Sequence, residues 1–212
     1  MMTPPPRGRD PVVREYSRLA RDYDARWSFY VEATTSETMA RLSVEPIDRV
    51  LDVGCGTGAL LGKLSRRYPQ ARLAGVDPVP EMLGIARTRL LPSVDLREGW
   101  AENLPFADGS FDAVVSCNMF HYIRQSTAAL HEMGRVLRTG GQLVITDWCG
   151  DYLVCRICDL YLRLFSSAHF TVYRQRECLS LLAEAGLPAA EIERYKISWL
   201  WGLMTVKAAK VP

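Results

Sequence analysis

The sequence predicts one α/β domain: a seven-stranded, mostly parallel sheet with helices on both faces and an antiparallel hairpin at its C-terminal end. Three observations carry this. Short apolar runs alternate with helical segments between Arg49 and Trp148, which implies a parallel sheet covered on both sides. A glycine-rich bend, "VLDVGCGTG" from Val50 to Gly58, follows the first run and precedes a helix. Two final strands are joined by a link too short for a helical crossover, so they must pair antiparallel.

The elements follow in order. Asp10 and Pro11 form an N-cap with proline in the first helical position. Val12, Val13, Tyr16, Leu19, Ala20, Tyr23 and Trp27 follow at helical spacing. One amphipathic helix is expected there, and a second short one near Glu37 to Leu42. "DRVLDV" is a strand, "ALLGKLSRRY" a helix and "ARLAGVD" a strand. Pro78 and Pro80 open a helix through "EMLGIARTRL", "VDLRE" is a weaker strand, and "ADGS" is a turn. "FDAVVSC" is a strand, and "TAALHEMGRVLR" is a helix expected to stop at Gly140. "GQLVITDW" is the next strand. "RECLSLLAEAG" is a helix ending at Gly186, and "EIERYKISWL" and "GLMTVKAAK" form the closing hairpin.

Composition narrows the function classes. The chain has 212 residues, 48% hydrophobic and 24% charged, with a net charge of +2. That suits one domain with a sizeable core and gives no basic field that would invite nucleic acid. No apolar run is long enough to span a bilayer, and the opening MMTPPPRGRD lacks the apolar stretch of a secretory signal. A cytoplasmic protein is expected. The cysteines are scattered through apolar segments, and Cys155 and Cys158 have no second ligand pair at zinc spacing. Reduced core thiols are expected, and no metal site.

Gly54, Gly56 and Gly58 lie between strand and helix, where a bend without side chains lets a ligand approach the backbone. In an open parallel sheet that place, beyond the carboxyl ends of the strands, is where ligands bind. The bend is not a P-loop, because Thr57 stands where the first glycine is needed and Leu64 where the hydroxyl residue is needed. Gly54, Gly56 and Ala59 do fit a dinucleotide fingerprint, G-x-G-x-x-A. Asp52 argues against it, since a carboxylate at the entrance repels a pyrophosphate and favours a ligand with an amino group or a sulfonium. S-adenosyl-L-methionine carries both and has no phosphate. Asp77 ends the second strand, where an acid can accept both ribose hydroxyls; it can also cap the helix that Pro78 begins.

The chain resembles the class I S-adenosylmethionine-dependent methyltransferases, near the ubiquinone and menaquinone biosynthesis group. The matching pieces are "VLDVGCGTG", "GVDPVPEML", "AENLPFADGSFDAVVS", "FHYI" and "RVLRTGGQLVITD", with "REYSRLARDYDARW" before them. The resemblance implies a Rossmann-like fold. It implies that Asp52 and the glycines hold the methionine end, that Asp77 with Pro78 holds the ribose, and that Met82 packs on the adenine. Ala101 meets the adenine edge, with Glu102 nearby, and Asn118 lies against the methionine part. Tyr16 and Tyr23 close over the cofactor. Trp100 departs from the pattern: an acid is common there, and an indole cannot accept from the adenine amine. Trp100 stacks on the base instead, or Glu102 takes over.

Methyl transfer from a sulfonium needs alignment above all, and a base only where the nucleophile must lose a proton. His121 and Tyr122 are the catalytic candidates; for His121 the alternative is to fix its loop by hydrogen bonds. The expected layout is N-terminal helices over 10–45 after a disordered tail at 1–9, and a cofactor-binding core over 46–149. An acceptor-pocket insert over 150–173 and the final helix and hairpin over 174–212 complete it. The expected acceptor is a small molecule, lipid-like or aromatic, and a homodimer is compatible with the sequence. The competing readings are an NAD(P)-dependent oxidoreductase and a non-catalytic S-adenosylmethionine-binding protein.

Overall fold

The computed structural model describes residues 10–45 and 48–211. The tail over 1–9 and the boundary placed at 46 lie outside the described residues. Seven strands form one sheet in the order β3-β2-β1-β4-β5-β7-β6. They are β1 (Arg49–Val53), β2 (Arg72–Asp77), β3 (Asp95–Glu98), β4 (Phe111–Cys117), β5 (Leu137–Trp148), β6 (Ala189–Lys196) and β7 (Gly202–Ala209). β1 to β5 run parallel, and β7 pairs antiparallel with both β5 and β6. The helices are α1 (Pro11–Leu19), α2 (Tyr23–Arg41), α3 (Ala59–Arg67), α4 (Pro80–Arg89), α5 (Ser126–Val136), α6 (Leu153–Phe165) and α7 (Gln175–Glu184). The strand order reverses between β1 and β4, so the crevice for a ligand opens at their carboxyl ends.

Alternation along the strands fills two cores. In β5, Leu143 and Ile145 join Leu130, Met133, Leu182 and Met204 on one face. Val144 joins Val50, Leu60, Leu61, Leu64 and Val115 on the other. Each fully buried Leu or Ile contributes about 1.5–3 kcal/mol, so the layers on both faces fix the strand ends that carry the site.

Asp10 caps α1 as expected, with its Oδ1 accepting from the Val12 amide at 2.8 Å and the Val13 amide at 3.3 Å. The rest of the N-terminal region departs from expectation. Tyr23 and Trp27 belong to a separate helix, and the short helix expected near Glu37 is the end of the 19-residue α2. Trp27 has non-helical angles (φ −111°, ψ 18°) and kinks α2. Below the kink the buried residues are Tyr30, Thr34, Thr35 and Thr38, an inner face with no aliphatic stripe. The threonine hydroxyls are satisfied within the helix: Thr34, Thr35 and Thr38 donate to the carbonyls four residues back, at 2.8, 2.6 and 2.8 Å.

α5 also ends early, at Val136, not Gly140. Leu137 is drawn into β5 by pairing with Phe111, and the register then shifts before Ala113 meets Gln142. Gly140, at φ 74°, turns the strand so that its amide donates to the Lys210 carbonyl at 2.8 Å.

Candidate active site

A cavity of about 820 Å³ opens at the carboxyl ends of β1, β2 and β4, within the size range of small-molecule sites, about 300–1,000 Å³. Of the predicted residues, Tyr16, Tyr23, Asp52, Gly54, Gly56, Asp77, Pro78, Met82, Ala101, Glu102, Asn118 and Tyr122 line it. Gly58 sits one step behind, at φ 78°, where a side chain would strike Leu90.

The bend is built to be bare. Gly54 has φ 76°, and a Cβ there would lie 2.3 Å from Met119 Cγ. Gly56 has φ 52°, and a Cβ there would meet nothing within 4 Å. Backbone at Gly56 therefore borders open space in the cavity. The Gly54 and Cys55 amides both donate to the Val76 carbonyl, at 2.8 and 3.1 Å, and lash the bend to β2.

Two buried carboxylates face this cavity. Asp77 Oδ2 accepts from the Gly56 amide at 2.8 Å and Oδ1 from the Val79 amide at 2.9 Å. It caps α4 and braces the bend at once. A carboxylate has about four acceptor sites, so two remain for hydroxyl donors. Burial pushes its pKa up to about 6, against the pull of those two amides. Asp52 is 2% exposed, and among the described residues no donor reaches its carboxylate. Burial, and then the Asp77 charge, push its pKa up to about 7. Such a carboxylate calls for a cation. This pair of acceptors therefore fits a ligand with a positive end and a vicinal diol, as S-adenosylmethionine has. It does not suit a pyrophosphate.

The rest of the wall is apolar or aromatic. Met82 and Val79 pack with Val13 of α1, with Tyr16, Tyr23 and Trp100 against them. Trp100 thus lies beside Met82 in the cavity wall. Burial raises the Glu102 pKa, and the Asp10 charge adds to it. Tyr16 donates to the Tyr122 hydroxyl at 2.5 Å. Burial raises the pKa of both phenols above the ordinary range.

Asn118 has φ 60°, the only non-glycine with a positive φ among the described residues. Its amide donates to the Thr146 carbonyl at 2.9 Å. Its side chain is held by α2: Oδ1 accepts from Tyr30 at 2.8 Å, and Nδ2 donates to Thr34 at 2.6 Å. Trp148 Nε1 also donates to the Tyr30 hydroxyl, at 2.6 Å.

His121 is buried and does not line the cavity. Its Nδ1 hydrogen-bonds Asp147 Oδ1 at 2.6 Å, and its amide donates to Asp147 Oδ2 at 3.0 Å. Its ring lies 3.9 Å from that of Tyr122, so it braces a residue that does line the cavity. His169 is likewise buried and bonded to Asp159 at 2.8 Å. Val31 and Thr35 of α2 and Asp10 also line the cavity. The sequence context of Val31 and Thr35 carried no sign of it, because α2 shows no apolar period, and Asp10 read only as a helix cap.

Comparison with known proteins bears on this site. Residues 50–141 match the family described as methyltransferase domain. A demethylmenaquinone methyltransferase of Deinococcus radiodurans is 43% identical over 103 residues, covering 47% of this chain and 43% of that protein. One from Thermotoga maritima is 34% identical over 140 residues, covering 64% and 61%. The chain thus spans less than two thirds of the length of these relatives. Among solved structures, a chain from the Haloferax volcanii complex of the Trm112 methyltransferase activator with a methyltransferase superposes with a TM-score of 0.83. It is 22% identical and covers 93% of this chain and 98% of that one. With the seven-stranded sheet, the glycine bend and the two acids in place, residues 50–141 match the methyltransferase-domain family, and the chain shares the fold of the Haloferax volcanii methyltransferase complex chain.

Proposed function

We propose that the protein transfers a methyl group from S-adenosylmethionine to a small lipophilic or aromatic acceptor. The observation that supports this best is the pair Asp52 and Asp77, two buried acids on one cavity, the first with no donor of its own among the described residues. A dinucleotide would bring two further negative charges to the same place.

When bound, S-adenosylmethionine supplies a methyl group already activated on a sulfonium. Asp52 would hold the cationic end, with the Gly54 to Gly58 bend against the ligand's own chain. Asp77, followed by Pro78, would accept from the ribose hydroxyls. Met82 and Trp100 would flank the base, with the Ala101 backbone and Glu102 at its edge. Tyr16, Tyr23 and Tyr122 would exclude water, which strengthens the electrostatic contacts inside. Asn118 would fix the wall nearest the methionine part. His121 would act through Tyr122, with its Nδ1–H held by Asp147.

The lipophilic acceptor is supported by the aromatic group beyond Asn118, where Tyr30 lies 5.2 Å from Trp201 and 6.5 Å from Trp148, ring to ring. The names of the two relatives point the same way.

Calorimetry with S-adenosylmethionine, S-adenosylhomocysteine and NADH tests the cofactor. Micromolar binding of the first two and none of NADH is expected; binding of NADH alone overturns the proposal. Incubation with labelled S-adenosylmethionine and a panel of quinols and phenols tests the acceptor. Tight cofactor binding with no labelled product would favour a non-catalytic binding protein.

A further inference from the structure

The helix that follows β5 is turned inside out. α6 buries Cys155 and half-buries Cys158, Asp159 and Leu162. Its outward side carries Leu153, Ile157, Leu160, Tyr161, Leu164 and Phe165, each 60–72% exposed. Water-facing helix positions are normally polar, and an apolar patch of this extent marks an interaction surface.

Two other segments extend the patch. The turn between β6 and β7 carries Trp199, 80% exposed. That turn abuts the start of α6: Gly202 lies against the Tyr152 ring, and its carbonyl accepts from Cys155 Sγ at 3.3 Å. Trp201 of the same turn lies 6.4 Å from Trp27, ring to ring. Two residues on from Trp27, Phe29 is 58% exposed.

Cations border these aromatics. Arg194 and Lys196 lie 5.8 and 5.4 Å from the Tyr152 ring, and Arg26 lies 5.7 Å from Trp27. Arg156 is exposed on α6 itself. The acids nearby are already engaged. Asp159 turns inward onto His169 and Arg163, at 2.8 and 3.0 Å. Asp151 accepts from the Gln175 amide at 3.0 Å, and Glu177 from the Arg174 amide at 2.9 Å. A groove of about 760 Å³ runs between α6 and α7, with Leu153, Ile157, Leu160 and Leu181 inside and the arginines Arg156, Arg163 and Arg174 beside the acids Asp159 and Glu177 in its wall. Apolar floor and arginine rim together match an amphiphile with an anionic head.

We propose that this face docks on an anionic lipid surface, with α6 lying in the plane of the interface and Trp199 as an anchor. An amphipathic helix with exposed leucines, flanking arginines and a neighbouring tryptophan binds bilayers through apolar burial plus attraction to anionic headgroups. A second copy of the chain suits the patch less well. A two-fold interface sets each patch against itself, so Arg156, Arg194 and Lys196 of both copies would share it. The docking face lies at the end of the sheet where β5 finishes and β7 begins, beside Trp148. It rests on the methyl-transfer proposal only in making the bilayer the source of the acceptor.

The test is co-sedimentation of the full chain with phosphatidylcholine vesicles, with and without phosphatidylglycerol, at low and high salt. Binding to the phosphatidylglycerol vesicles, weakened by salt, is expected. The double variant Leu160→Glu with Leu164→Glu should bind at least about tenfold more weakly. Leu91→Glu, an equally exposed leucine elsewhere, should bind as the natural chain does. No binding by the natural chain, or equal binding by the double variant, overturns the proposal. So does a dimer in sedimentation velocity that the double variant dissociates. Cofactor calorimetry on the same samples separates the two ideas. Cofactor binding without vesicle binding sinks docking alone, and the reverse sinks methyl transfer alone.

Discussion

The Gly56 amide donates to Asp77 Oδ2 at 2.8 Å, so the glycine bend and the end of β2 are one unit. Replacing Asp77 by alanine removes the acceptor for two amides and for the proposed ribose hydroxyls. Each hydrogen bond to a carboxylate is worth about 1.5–3 kcal/mol. Asp77→Ala should lose cofactor affinity by a factor on the order of 10² or more and also lower the melting temperature. Calorimetry and a thermal melt read the two effects. Unchanged affinity in a folded variant would remove the ribose assignment.

Protonation should set both stability and affinity in this site. Asp52 and Asp77 hold protons in the folded chain up to pH of about 7 and 6, whereas an unfolded carboxylate releases them near pH 4. Between those limits the folded state binds more protons than the unfolded one, so stability falls as pH rises. The ligand-free protein should be most stable near pH 5 within this window and lose stability towards pH 7.5. Asp52→Asn should flatten that slope. A cationic ligand favours the ionised acids, so its affinity should climb with pH and level off above about pH 7. Melts and titrations across pH 5–8 check both trends, and opposite slopes would refute the assignment.

Gly54 is constrained twice, by its positive φ and by Met119. Gly54→Ala should cost about 1–3 kcal/mol of stability. Adding Met119→Ala should recover the steric part and leave about 1 kcal/mol of backbone strain. A double-mutant cycle in urea measures the split. Strictly additive losses would show that Met119 is not the obstacle.

His121 and Tyr122 should separate cleanly. His121→Ala strips the buried Asp147 of its 2.6 Å partner and should cost about 1–3 kcal/mol of stability. Tyr122→Phe removes the acceptor of the Tyr16 hydroxyl from the cavity wall, so its loss should appear in cofactor affinity, with a drop in stability of at most about 1 kcal/mol. If His121→Ala instead keeps full stability and abolishes turnover alone, His121 is a base in its own right.

The core strands, the bend and Asp77 were legible because each rests on local chemistry. Proline opens α1 and α4, glycine permits the bend, and apolar runs fill a sheet covered on both faces. α2 was not legible, because it buries Tyr30 and three threonines whose hydroxyls are satisfied within the helix. No apolar period marks such a face. The end of α5 was misplaced because a long-range pairing, Leu137 with Phe111, overrode a local glycine signal. The burial of His121 and His169 depends on Asp147 and Asp159, partners brought near by tertiary folding. The outward apolar face of α6 falls within the insert expected over 150–173, and local sequence does not say which side of a helix meets the rest of the fold.

The kink at Trp27 gives a single helix two jobs. Its first turn offers Tyr23 to the cavity, and its lower half clasps Asn118 through Tyr30 and Thr34. Part of the cavity wall is thus hung from a segment that precedes the matched residues 50–141 in sequence. Without those helices the cavity would lose Tyr16, Tyr23, Val31 and Thr35 from its wall, so the N-terminal segment shapes what the cavity admits.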